Sequence, residues 1–417
     1  MIDRPQGGEK AILVHVFFPA EGMQEDLEEF KELAHSAGAT VVAIVTGTRS
    51  VPEARYFVGS GKAEEIREMV AATAAELVLF NHALSPAQER NLEKLLKCRV
   101  LDRTGLILDI FGQRARSFEG KLQVELALLN HLSTRLVRGW THLERQRGGI
   151  GLRGGPGETQ LEVDRRLIRK RIQSIRERLK KVRQQREQSR KARRRAALPT
   201  VALVGYTNAG KSTLFNCLSG GSVYVANQLF ATLDPTLRRI ELPEMGPVII
   251  ADTVGFIRHL PHDLVEAFHA TLEEVTEADL LLHVVDIHDE RRAENIDQVN
   301  AVLEGIEADS VPQLLVYNKI DLLSGVMPGI ERDYEGNQLR VSISAAKGAG
   351  IEDLQKVMVE MLGKDMIQKT VKLTPKDARL RALLYQLEAV LSEKVDEEGC
   401  YHLVVRMPKA EFKKLLG

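Results

Sequence analysis

Residues 205–212 read Gly205-Tyr206-Thr207-Asn208-Ala209-Gly210-Lys211-Ser212, and no other stretch restricts the fold of this chain so narrowly. The apolar run Thr200–Val204 predicts a strand leading in, and a helix is predicted to leave from Lys211 and end at Gly220. A strand, a glycine loop and a helix at this spacing let backbone N–H groups wrap a phosphate chain. The helix N-terminus adds partial positive charge behind them. In that geometry Lys211 bridges the β- and γ-phosphates and Ser212 offers its hydroxyl to magnesium, with Thr213 next on the same helix. The plain alternative is a glycine-rich turn with a chance Lys-Ser, and the rest of the segment decides against it.

Asp252-Thr253-Val254-Gly255 leaves the end of a predicted buried strand, which suits a carboxylate near magnesium and a glycine N–H at the γ-phosphate. Asn318-Lys319-Ile320-Asp321 leaves the next strand but one. There Asp321 can accept two hydrogen bonds from guanine N1 and N2, a pairing adenine lacks. Ser344-Ala345-Ala346 follows the last strand, where small residues let the backbone approach the base carbonyl. Phe230-Ala231-Thr232-Leu233-Asp234 lies between the phosphate loop and Asp252, and Thr232 is the natural second hydroxyl for magnesium. Each segment alone is weak, but five in this order resemble the translation-factor-like branch of P-loop GTPases. The candidate catalytic groups are Lys211, Thr232 and Gly255, with Ser212 and Thr232 as metal ligands. Phe256 stands where Ras-like enzymes carry a water-positioning Gln, and a phenyl ring cannot orient water by hydrogen bonding. The expectation is slow GTP hydrolysis alone, completed by a partner or another ion. Asn208 leaves two readings open: it shapes the loop, or, as in several GTPases of this kind, it accompanies a bound potassium.

The 417 residues leave room for more than one domain. Residues 1–112 alternate strand-like and helix-like runs, which favours a mostly parallel sheet covered by helices. Ser85-Pro86-Ala87-Gln88 has the form of a helix N-cap box. Residues 113–198 change texture. Leu122, Leu129, Leu132, Leu136, Trp140 and Leu143, then Leu161, Ile168, Ile172, Ile175, Leu179 and Val182, form heptad-like seams. They predict an antiparallel helical hairpin with a glycine-rich tip at 148–160, its second helix about 50 Å long. The GTPase segment is expected over 199–363, with strands at Thr200–Val204, Arg238–Leu242, Val248–Ala251, Leu280–Val285, Gln313–Tyr317 and Leu339–Ile343. A small α+β unit, 364–417, is read as a helix at Lys376–Lys394, a strand at Tyr401–Arg406 and a short helix after Pro408. The fold class is therefore α/β: a P-loop GTPase domain preceded by an α/β domain and a basic hairpin, with an α+β appendage.

Formal net charge is zero, yet residues 113–195 hold 24 Lys and Arg against 8 Asp and Glu, and the remainder carries the opposite excess. A single charged run is usually a solvated face, but a net +12 over Leu161–Arg195 favours a polyanion partner. With few aromatic residues to stack on bases, contact with structured RNA through shape and backbone fits best. Three scattered cysteines (Cys98, Cys217, Cys400) form no framework and suit a reducing compartment. No apolar run approaches a membrane span and the N-terminus lacks a signal core, so a cytoplasmic protein needing no membrane is expected. Gly59-Ser60-Gly61-Lys62 lacks the spacing of a second phosphate loop and reads better as a turn into a helix. His82, His131, His142, His259 and His262 show no metal-ligand spacing.

Segments 56–66 (YFVGSGKAEEI), 79–93 (LFNHALSPAQERNLE), 102–115 (DRTGLILDIFGQRA), 148–166 (GGIGLRGGPGETQLEVDRR), 205–216, 230–239 and 252–265 together resemble the HflX family of ribosome-associated GTPases, over essentially the whole chain. The resemblance implies binding of the N-terminal and helical regions to the large ribosomal subunit and its rRNA, with the tip directed toward the peptidyl-transferase region. It also implies dissociation of stalled or idle ribosomes, notably under heat stress, by a monomer that is partly ribosome-associated. Gly154-Gly155 before Pro156 departs from the single glycine expected there, which puts the tip's reach in question. A large-subunit assembly GTPase and a GTP-gated RNA-remodelling protein are the rival readings.

Overall fold

A computed structural model of the chain describes residues 8–19, 27–138, 160–195, 198–221, 229–230, 232–258, 272–363 apart from 335 and 337, 366–408 apart from 388, 397 and 398, and residues 412 and 415. The glycine-rich tip up to Thr159, Trp140, Leu143, His142, His259, His262 and Ala231 lie outside the described residues, as does most of the segment after Pro408. No helix among the described residues is long and apolar enough to cross a membrane. The chain divides into two compact units. One is Met1–Lys180 with Ala226–Asp234 and Arg258–Phe268; the other is Lys181–Val225, Pro235–Ile257 and His269–Gly417.

In the first unit, β1 (Lys10–Phe17), β2 (Thr40–Thr48), β3 (Leu77–Phe80) and β4 (Arg99–Asp102) form a sheet in the order β2-β1-β3-β4, parallel throughout. Helices α1 (Leu27–Ser36), α2 (Ser60–Thr73) and α3 (Pro86–Leu96) provide the crossovers that parallel strands require, and α4 (Arg103–Arg114) follows the last strand. Ile12, Val14, Val78, Phe80, Ile66 and Leu92 are fully buried between the sheet and its helices. Ser85 accepts the Gln88 N–H while Gln88 caps the Ser85 N–H, so the predicted capping box forms and starts α3. Gly59 is the N-cap of α2, so the Gly59–Lys62 run is a helix entry. The apolar Leu106–Phe111 run belongs to α4, started by the Asp102 carboxylate accepting the Gly105 N–H at 2.8 Å.

Helix α5 (Phe118–Arg138) and helix α6 (Gln160–Arg195, 36 residues, about 54 Å) follow. Leu122, Ile175 and Leu179 are buried with Leu126 and Leu129 against them. Arg178 lies over the Phe118 ring, while Arg171 grips Glu125 with two hydrogen bonds of 2.7 and 3.0 Å. These pairs run in opposite directions along the two helices, so the hairpin is antiparallel. Arg169, Lys170, Arg176, Lys180 and Lys181 are exposed along α6.

The second unit holds a seven-stranded sheet built from β5 (Thr200–Val204), β6 (Thr236–Leu242), β7 (Gly246–Asp252), β8 (Leu280–Asp286), β9 (Gln313–Asn318), β10 (Gly329–Arg332) and β11 (Gln338–Ser342). Its order is β10-β11-β9-β8-β5-β7-β6, with only β6 and β10 antiparallel to their neighbours. Strand β5 sits centrally, and α7 (Lys211–Ser219), α8 (Arg292–Gly305) and α9 (Ile351–Gly363) complete the domain. All six strands expected there are present; β10 is an addition. Its residues pair with β11 through a register shift, an edge position with little apolar signature.

The C-terminal region corrects the expected helix over Lys376–Lys394. Helix α10 spans only Ala378–Gln386, and Val390–Val395 forms β13. With β12 (Met366–Leu373) and β14 (Tyr401–Pro408) it makes an antiparallel sheet ordered β12-β14-β13. Pairing with β14 satisfies the Val390–Val395 backbone, and Leu384 packs with Leu403 and Val405 beneath. Local pattern alone could not see that partner.

Candidate functional site

The phosphate loop is built by two left-handed glycines and by β5. Gly205 has φ 141° and Gly210 has φ 94°, conformations that L side chains rarely adopt. Asn208 is exposed with φ 62°, a conformation Asn adopts more readily than most residues. Ala209 and Thr207 are buried and Tyr206 is half-buried. The Thr207 hydroxyl is buried without a hydrogen-bond partner among the described residues, a cost that an arriving phosphate oxygen can relieve.

Helix α7 begins at Lys211, which is 6% exposed. Its ammonium donates to the Gly205 and Tyr206 carbonyls at 3.0 and 2.7 Å. Burial pushes its pKa down to about 8, against the opposing pull of Asp252. A buried cation whose hydrogen bonds, among the described residues, go to backbone carbonyls is poised for anionic ligands. Ser212 donates to Asp252 Oδ2 at 2.8 Å, so a hydroxyl and a carboxylate stand together beside the loop. Both are hard oxygen donors, the kind that magnesium takes. Thr213 is half-buried on the same helix.

The segment after β7 is tied down at each residue. Thr253, fully buried, donates to the Leu203 carbonyl at 2.5 Å, and Val254 is buried. A Cβ at Gly255 would lie 2.8 Å from Thr207 Cγ2 and 2.9 Å from Lys211 Nζ, so glycine is required where this chain passes the lysine. Phe256 then donates its N–H to Gly205 O at 3.1 Å and accepts from Thr207 N–H at 2.8 Å. Its ring is 3% exposed. The residue in the position of a water-orienting Gln is thus an apolar anchor whose backbone joins two loops.

At the other end, Asn318 is buried and spans three segments. Its amide donates to the Ala209 carbonyl at 2.9 Å, and its Oδ1 accepts the Ala345 N–H at 2.9 Å. Asp321 Oδ1 accepts the Ser344 hydroxyl at 2.5 Å. That hydrogen bond, with the charges of Lys347 and Lys319, holds the Asp321 carboxyl below the usual carboxylate range. Ile320 is buried and anchors the turn, while Ala345 is buried and Ala346 exposed. Lys319, at φ 67°, pairs with Asp286 at 2.7 Å. Asp286 was not singled out in the sequence, where its only signal is that it closes the β8 run.

The residues from 205–213, 252–255, 318–321 and 344–346 therefore converge in the second unit. Phe230, Thr232, Leu233 and Asp234 group with the first. There Phe230 meets Phe111 edge to face with ring centroids 4.7 Å apart, and Leu229 N–H donates to Ser36 Oγ at 3.0 Å. Asp234 accepts the Arg116 and Ser117 N–H groups at 2.8 and 2.7 Å and the Ser117 hydroxyl at 2.5 Å, at the start of α5. Arg258, also in the first unit, gives its carbonyl to Arg103 at 2.9 Å; Arg103 further binds Asn81 and Glu29. Sequence patterns carried no sign of these long-range anchors.

Residues 24–112, 114–193 and 200–319 match three families described as GTP-binding GTPase N-terminal, GTP-binding GTPase Middle Region and 50S ribosome-binding GTPase. GTPase HflX of Escherichia coli (strain K12) is 59% identical over 415 residues, covering 100% of this chain and 97% of that protein. GTPase HflX of Magnetococcus marinus is 46% identical over 424 residues, covering 100% and 96%. GTPase HflX of Caldanaerobacter subterraneus is 46% identical over 391 residues, covering 94% and 89%.

Proposed function

Because the chain belongs to the HflX family of GTPases, we propose that it binds the large ribosomal subunit and uses GTP to dissociate stalled or idle ribosomes, in recovery from stress. The observation that carries this reading is the charge of the helical pair. Its segment holds 24 basic against 8 acidic residues in a chain of zero net charge, and Arg169, Lys170, Arg176, Lys180 and Lys181 on α6 face solvent. Such a face suits release of counterions from an RNA backbone. The protein acts as a cytoplasmic monomer, partly ribosome-associated.

The chemistry is hydrolysis of GTP to GDP and phosphate. Lys211 and the Gly255 N–H contact the γ-phosphate, the 205–213 backbone wraps the phosphates, and Asp321 selects guanine with Ser344–Ala346 beside the base. Ser212 and Thr232 would hold magnesium, which would supply positive charge against the phosphates. The oxygen set at Ser212 and Asp252 fits that ion. Phe256 gives water no hydrogen bond, so unaided turnover is slow and the large subunit stimulates it. Two roles stand for Asn208. If it helps hold potassium, replacing sodium by potassium raises turnover severalfold; equal rates leave Asn208 with the shape of the loop.

Sedimentation of intact ribosomes across nucleotide states tests the proposal. The protein with GTP or a non-hydrolysable analogue is expected to convert them to subunits, and with GDP not to do so. Deleting residues 148–159 should abolish this conversion while leaving unaided GTP hydrolysis nearly intact. Action only on immature large subunits would indicate an assembly factor. Binding to protein-free structured RNA undiminished by competing ribosomes would indicate an RNA remodeller.

A further inference from the structure

Asp234 stands two residues after Thr232, and the start of α5 occupies both oxygens of its carboxylate. Oδ2 accepts the Arg116 and Ser117 N–H groups, and Oδ1 accepts the Ser117 hydroxyl. Ser117 Oγ in turn accepts the Gly120 N–H at 2.8 Å, and the Ser117 carbonyl accepts the Lys121 N–H at 3.1 Å, so Ser117 acts as the N-cap of the helix. An acidic side chain from far along the chain therefore sits at the positive end of α5. Gly120 makes room for it. A Cβ there would overlap Asp234 Oδ1 and lie 3.0 Å from its Cγ. Glycine is a poor helix residue, and the close carboxylate accounts for its presence.

The stretch that carries Thr232 is anchored on both sides of that residue. Upstream, Leu229 is bonded to Ser36 and Phe230 meets Phe111. Downstream, Asp234 is seated on α5, and Pro235 is the one residue between it and β6, whose first residue, Thr236, pairs with Asp252. Proline fixes its own φ and restricts the residue before it, so this junction has little slack. Two residues of chain reach no further than about 7 Å, so the seat of Asp234 limits where Thr232 can go. Helix α5 is also half of the basic helical pair, joined to α6 through Leu122, Ile175 and Leu179 and by the Arg171–Glu125 bonds.

We propose that Ser117 and Gly120 are positioning residues for GTP hydrolysis: by seating Asp234 on the N-terminus of α5 they make the place of Thr232 depend on what the basic helical pair engages. This rests on the readings of Thr232 as a magnesium ligand and of that pair as the ribosome-facing element. Both residues act through Asp234 and not on the nucleotide.

Gly120→Ala tests the proposal, because its methyl displaces the end of a side chain while alanine favours the helix. Lys211, Ser212, Thr232 and Gly255 are unaltered, so unaided turnover should stay within about twofold of wild type, less than 1.4 kcal/mol of barrier would give. Stimulation of turnover by large subunits should fall about tenfold, within the usual range of coupling between sites. Coupling between two binding events is reciprocal. The preference of large subunits for the protein with a non-hydrolysable GTP analogue over GDP should therefore narrow at least fivefold, or about that. Ser117→Ala leaves the two backbone donors and should lower stimulation about threefold, while Ser117→Thr, which keeps the hydroxyl, should retain it. If Gly120→Ala does not fold, the Ser117 pair decides by the same ratio. Stimulation and nucleotide preference at wild-type levels in the alanine variants would overturn the coupling alone, as would unaided turnover that falls as far as the stimulated rate. A wild-type protein that large subunits do not stimulate fails the ribosomal reading itself, and the coupling with it.

Discussion

Asp321→Asn should lower GTP affinity by on the order of 10²- to 10³-fold and turn the preference toward xanthine nucleotides. Two charge-assisted hydrogen bonds to guanine N1 and N2 are lost, each worth about 1.5–3 kcal/mol. An amide in their place offers one acceptor for N1–H and one donor, and guanine's 2-amino group meets that donor head on. Xanthine has a carbonyl there and accepts from it. The carboxylate is ionised throughout the neutral range, because the Ser344 hydroxyl bond and the Lys347 and Lys319 charges hold its pKa down. The effect should therefore be the same at pH 6 and pH 8. Titration of fluorescent GDP and XDP into both proteins measures it, and retained guanine preference would remove Asp321 from base recognition.

Gly205→Ala should be the most damaging single methyl in the molecule's nucleotide site. The residue has φ 141°, and a Cβ there would enter the van der Waals radius of the Val284 carbonyl oxygen, with the Val284 carbon 3.2 Å and nitrogen 3.3 Å away. Neither side can yield cheaply. Strand β8 is paired with β5 through Val204↔His283, and Gly205 O accepts the Phe256 N–H. Forced backbone conformation and overpacking each cost about 1–3 kcal/mol, a large part of a stability of about 5–15 kcal/mol. The thermal midpoint should fall by on the order of 10 °C and GDP binding should be lost at micromolar nucleotide. A variant that melts within a degree or two of wild type and binds GDP normally would show that the loop has room the geometry denies.

The central strands and the loops that follow them were readable because each carries a local reason. Val201–Val204 is an unbroken apolar run, so it must be buried on both faces, and Gly205 and Gly210 take positive φ in the loop after it. Asp252, Asn318 and Ser344 follow such runs, so the sheet's own topology carries them to one edge. The capping box at Ser85 was legible for the same reason, since its partners lie three residues apart. Val390–Val395 was not. Its apolar residues at 390, 391 and 395 continue the helical pattern before them, and only hydrogen bonding to β14 turns them into a strand. The Asp286–Lys319 pair escaped for a related reason, since its partners lie 33 positions apart; β10 escaped because it is an edge strand with little apolar signature, although its partner β11 follows closely.

Thus the amino-acid sequence by itself determined the family, the GTPase chemistry, the α/β class and the concentration of positive charge on one helical pair. These follow from short-range steric rules, from hydrophobic period and from composition, all of which act between near neighbours. Tertiary structure alone decided what the motif residues hold within the protein. Asn318 brackets the Ala209 and Ala345 loops, Phe256 serves as a buried anchor, and Phe230 and Asp234 meet Phe111, Arg116 and Ser117 in the first unit. Those partners are separated by up to 119 positions, from Phe111 to Phe230, or 118, from Arg116 to Asp234. Contacts at that separation are selected by packing and charge in the folded chain, and no local pattern encodes them.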